Sequence, residues 1–248
     1  MADPSSIPGP LISIRPAKRA SGPDPLAPPE VSVVVSMEGD EPAGGERVAA
    51  LTRILGEWNE PFELILAAGT MDERSPMEAS MPIDPRVRLV RHAGPSGMRG
   101  ALLAAAGAAR AEFVTPVPRG VPITADHLRS LREAMDPFGA YSYLPGSPAA
   151  DVAMIVRARS LPRSLLMYGM LRLYGSDLSG PFMMRRSFLE KISIESEGGS
   201  ALMEIVVKAK RAGCVVRKVV TPGAAPSESP SLADAWRLRS RLRDRAGS

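Results

Sequence analysis

Four short apolar runs constrain this chain more than any other feature. They read VSVVVS (31–36), FELILAA (62–68), RVRLVRH (86–92) and EFVTPV (112–117). Runs this short, rich in branched aliphatic residues and bounded by polar segments, predict buried strands rather than helices. GERVAALTRILGEW (45–58) lies between the first two and places Val48, Leu51, Ile54 and Leu55 on one helical face. The Ala-rich SGMRGALLAAAGAARA (96–111) lies between the third and fourth, and TADHLRSLREAM (124–135) follows the fourth with Thr124 as its N-cap. In RVRLVRH, Val87, Leu89 and Arg91 alternate against Arg88 and Val90. Alternation of strand and helix predicts parallel βα units in a layered α/β domain.

The second half is less regular. AYSYLPG (140–146) and DVAMIVRAR (151–159) read as strands, and LPRSLLMYGMLRLYG (161–175) as a helix carrying Leu165, Leu166, Tyr168, Met170 and Leu171. SALMEIVVKAKRAG (200–213) reads as a helix stopped by Gly213, and CVVRKVV (214–220) as the last strand. Residues 1–30 are rich in Pro, Ser and Ala and predict a flexible tail. The expected organisation is that tail, a single domain over 31–225, and a basic helix over 226–248. No internal repeat of roughly 20–50 residues is present.

Composition narrows the function classes. A net charge of +4 permits anionic partners without demanding nucleic acid, and aromatic residues at 4% are too few for a base-stacking platform. The single cysteine, Cys214, excludes an intramolecular disulfide and reads as a small apolar residue of the last strand. The two histidines, His92 and His127, form no zinc-spaced cluster, and His127 is expected to face outward from a first helical turn. No run approaches the ~18 apolar residues of a spanning helix, and the N-terminus lacks a signal-peptide pattern, so cytoplasmic residence is expected. Five arginines, 237, 239, 241, 243 and 245, accompany Leu238 and Leu242 in the last helix, which leaves peripheral docking on an anionic membrane as an alternative to a solvated surface.

The order and spacing of VSVVVS, FELILAAGT, DPRVRLVRHAGPSG, GALLAAAGAARAEFV, LSGPFMMRRSFLE, MEIVVKAKRAGCVV and SESPSLADAWRLR resemble the family 2 glycosyltransferases of GT-A fold, over roughly residues 31–245. Within that family the resemblance is to the dolichyl- and polyprenyl-phosphate sugar synthases. It implies a GT-A-like, Rossmann-like, mainly parallel sheet with flanking helices. It also implies a nucleotide-sugar donor site in the first half, an acceptor site in the second, and a divalent metal held by a D-x-D pair after the fourth strand. Aligned without gaps, Pro118 and Gly120 occupy the aspartate positions, with Arg119 between them, and Pro122 falls where a polar metal-site residue often follows. Ala67-Ala68-Gly69-Thr70 replaces an acidic D-D-G-S, while Ser36, Glu38 and Gly39 fall on marked positions of P-x-Y-N-E. Met98 stands where a polar residue often sits, Pro181 and Phe182 follow Ser179-Gly180 where S-G-F-R is expected, and Pro230 replaces a basic residue.

Neither proline nor glycine has a side chain that can ligate a metal or move a proton. The expectation is therefore no metal ligand, no metal cofactor and a non-catalytic homologue. Such a homologue would bind a ligand or partner an active glycosyltransferase. The alternative is a metal-independent transferase using a nucleotide-sugar donor and a polyprenyl-phosphate acceptor; whether activity persists stays open. Asp72 and Glu73 are the candidate displaced acids, and Asp40 and Glu41 follow the first strand. Arg119, Arg99 and Thr70 are the candidates for donor phosphate binding, since a guanidinium takes a diphosphate bidentately. Glu204 aligns with an acidic residue common in the family's late helix and reads as helix surface or a local ion pair.

Overall fold

The computed structural model describes residues 27–37, 44–69, 84–93, 97–118, 121–136, 148–156 and 181–220. The strands are β1 (Val31–Met37), β2 (Phe62–Gly69), β3 (Val87–His92), β4 (Phe113–Val117), β5 (Val152–Val156), β6 (Phe182–Arg185) and β7 (Val216–Val220). The helices are α1 (Gly44–Trp58), α2 (Gly97–Ala108), α3 (Ala125–Met135), a single turn α4 (Arg186–Leu189) and α5 (Gly199–Arg211). They build one sheet in the order β3-β2-β1-β4-β6-β5-β7. β1 pairs in parallel with β2 and β4, β2 with β3, and β5 with β7; β6 runs antiparallel to both its neighbours.

This is the predicted mainly parallel α/β domain. β1 is buried on both faces because helices cover both, which is why it reads as a nearly continuous valine run. Val33 and Val35 face a cluster with Val48, Leu51 and Leu55 of α1 and Leu128 and Leu131 of α3. Val34 faces the opposite cluster with Ala101, Leu102 and Ala105 of α2 and Ile205 and Val206 of α5. Val87 and Leu89 pack on the first cluster and Val90 on the second, as their alternation predicts. Thr124 caps α3, its hydroxyl accepting from the His127 N–H at 3.2 Å.

β6 and α4 are not predicted as elements by the sequence. β4 and β6 share only two paired positions, Phe113↔Arg185 and Val114↔Met184. Arg186 N–H donates to Glu112 O at 2.8 Å, so Glu112, and by period two Val114 and Pro116, face β6. The N–H that Pro116 lacks falls where this ladder has already ended, which is what lets a proline sit inside an interior strand.

Arginines hold the far pole of the sheet, where the parallel strands begin. Arg88 Nη1 donates to Ala108 O at the end of α2 (3.1 Å), Arg129 Nη2 to Glu57 O at the end of α1 (2.9 Å), and Arg217 Nη1 to Ala134 O and Asp136 O at the end of α3 (2.9 and 2.8 Å). The last carbonyls of a helix lack intrahelical partners and carry the negative end of its dipole, so a cation there satisfies both needs. The same pole buries Glu63 completely. Its carboxylate accepts from Ser32 Oγ (2.6 Å), Arg110 N–H (2.6 Å), Arg110 Nε (2.9 Å) and Arg88 Nη1 (2.8 Å), and Ala111 N–H donates to Ser32 Oγ at 3.2 Å. Burial alone pushes the Glu63 pKa up; these hydrogen bonds outweigh it and leave the net shift downward.

Candidate functional site

The order β3-β2-β1-β4 creates a topological switch point. The chain leaves β1 through α1 to reach β2 on one side, and leaves β3 through α2 to reach β4 on the other. Ligands of open α/β sheets bind outside the carboxyl ends of the strands at such a point. The N-termini of α1, α2 and α3 follow the ends of β1, β3 and β4, so all three start at this edge. In the first turn of α1, Arg47 Nη2 donates to Val117 O, the last carbonyl of β4, at 3.3 Å.

Of the sequence-derived candidates, Thr70, Asp72, Glu73 and Arg119 lie outside the described residues, as do Asp40, Glu41 and Gly120. The segments 140–146, 161–175 and 231–245 lie outside them too. Arg99 is half-buried in the first turn of α2, and its Nε donates to Ile194 O at 2.8 Å. The same loop is held from α5. Buried Glu204 accepts from the Glu195 and Ser196 N–H groups at 3.1 and 2.7 Å and pairs with Lys208 Nζ at 2.7 Å, while Lys208 also donates to Ser193 O. Burial pushes the Glu204 carboxyl up, but the Lys208 ammonium and the backbone N–H groups pull it down further, so its net shift is downward. Glu204 is thus a buried ion pair that straps a loop; the surface-helix alternative is corrected.

His127 is half-buried rather than outward-facing, and its pKa is lowered by burial, opposed in part by Asp126. Cys214 is half-buried just before β7, with its thiol pushed up by burial and by Asp151 against an opposing pull from Lys191. That is the profile of an inert thiol.

Several positions aligned with the family's polar site residues are apolar core. Ala67 of β2, Met98 of α2 and Phe182 of β6 are all buried and belong to one hydrophobic cluster, which also holds Val34, Ala101 and Met184. Ala68, on the other face of β2, is buried in the opposite cluster. Pro118, directly after β4, is half-buried.

No family model and no curated protein matches the sequence. Solved structures do match. Glucosyl-3-phosphoglycerate synthase from Mycobacterium tuberculosis in complex with Mn2+, UDP and phosphoglyceric acid aligns with a TM-score of 0.59 at 16% identity, over 88% of this chain and 79% of that one. Its complex with UDP gives 0.59 at 16% identity over 88% and 80%, and its complex with Mn2+, UDP-glucose and glycerol 3-phosphate gives 0.57 at 16% over 88% and 80%. The chain has the GT-A glycosyltransferase fold. At this identity the likeness shows the fold alone.

These neighbours correct one expectation. The sequence reading foresees no metal cofactor, whereas the matching synthase is seen with Mn2+ together with UDP or UDP-glucose. That reading rests on one ungapped loop, in which Pro118 and Gly120 lack oxygen-bearing side chains, and a hard cation takes its oxygens from any loop within reach. Asp40, Glu41, Asp72 and Glu73 lie three and four positions past the ends of β1 and β2 in sequence. The described residues at the strand ends, Met37, Gly69 and Pro118, offer no side-chain oxygen, and among the described residues no group of three or more His, Cys, Asp or Glu gathers. The acids that follow β1 and β2 lie outside the described residues, and no chemical step is derived through a metal. Among the described residues no helix is long and apolar enough to cross a membrane.

Proposed function

We propose that this chain is a glycosyltransferase homologue that binds a nucleoside diphosphate, or its sugar conjugate, at the β1–β4 switch point and acts as a binding or partner protein rather than as a transferase. The observation that carries the non-catalytic part is the cluster of Ala67, Met98 and Phe182. Three positions that align with polar site residues contribute instead to packing, and reverting any one of them would bury an unpartnered polar group. Nucleotide binding is supported by the switch-point geometry and by the UDP and UDP-glucose held by the matching synthase. A divalent cation belongs to that ligand set, since Mn2+ accompanies those nucleotides.

The resemblance to polyprenyl-phosphate sugar synthases and the phosphoglyceric acid bound by the matching synthase share one chemistry, a phosphorylated acceptor. The test is calorimetric titration with UDP and UDP-glucose, with Mn2+ and with chelator. Release of UDP is then measured with phosphoglyceric acid or a polyprenyl phosphate as acceptor. Saturable UDP binding without turnover is expected. Turnover with either acceptor would overturn the non-catalytic reading, and absence of nucleotide binding would overturn the donor site.

A further inference from the structure

We draw no further inference here: the strongest candidate, the tip of β3 at the edge of the sheet, where half-buried His92 stands beside Gly69 of β2 with its Nδ1 buried and without a hydrogen-bond partner, lies at the carboxyl ends of the strands and belongs to the site already described.

Discussion

Replacing Glu63 should damage this protein more than replacing any surface acid. The carboxylate is fully buried and accepts four hydrogen bonds, two of them from groups with little other recourse: Ser32 Oγ and the Arg110 N–H, each at 2.6 Å. Arg88 and Arg110 contribute less, because their side chains are 34% and 54% exposed and water screens and rehydrates them once the acid is gone. Hydrogen bonds to a charged group contribute about 1.5–3 kcal/mol each, so Glu63→Ala should cost roughly 3–5 kcal/mol. For a domain of this size that lowers the melting temperature by about 6–20 °C. Glu63→Gln keeps the shape but turns an amide NH2 toward arginine donors and should recover less than half of the loss. The net shift of Glu63 is downward, so its stabilisation is complete above the unfolded glutamate value of about 4.3 and disappears as pH falls through the lower folded value. Urea unfolding at a series of pH values reads both effects, and the Glu63→Gln profile should be flatter than the wild type in the acid window. A Glu63→Ala loss below about 1 kcal/mol, or parallel pH profiles, would refute the reasoning.

Three further outcomes follow from the same contacts. Arg217→Ala removes donors from Ala134 O, Asp136 O and Pro148 O and should lower stability by about 1–2 kcal/mol in urea unfolding, with faster amide exchange at the end of α3. Thr124→Ala should cost about 1 kcal/mol by the same assay, and Thr124→Ser almost nothing. Glu204→Gln should cost about 2 kcal/mol and expose residues 193–196 to limited proteolysis; because the Glu204 pKa is also lowered, the wild-type advantage over this variant should fade as pH drops below about 4.3.

Much of this architecture was legible in the residues. Strands β1, β2 and β4 announce themselves because a strand buried on both faces must be apolar throughout, and β3 because its two faces alternate. β6 does not, because FMMR is only four residues long, contains no β-branched residue and passes straight into RSFL without a turn residue. Its reversed direction has no signature in composition at all. Glu63 carries a signal of its own: an acid inside an apolar run is buried, and a buried acid needs partners. Those partners, Ser32, Arg88 and Arg110, are set by parallel register rather than by local sequence. The place of the candidate site follows from strand order alone. Its chemistry does not, because the contact between Arg47 and Val117 joins residues 70 positions apart, and because side chains missing from one loop say nothing about oxygens supplied by another.

The brevity of the β4–β6 ladder bears on how the sheet can move. Seven paired positions tie β1 to β2 and five tie β1 to β4, but only two tie β4 to β6, and Pro116 has no N–H with which to extend them. Among the described residues no β4–β6 pair follows Val114, and apolar side chains on both faces of the sheet pack across that line; such packing has no preferred direction in the way a hydrogen bond does. A ladder resists sliding because every bond must break at once, whereas apolar surfaces tolerate small shear while staying in contact. The tip of β4, whose last carbonyl accepts from Arg47, therefore lies along the line where, among the described pairings, β1–β4 can slip against β5–β7 at the smallest loss of backbone bonding.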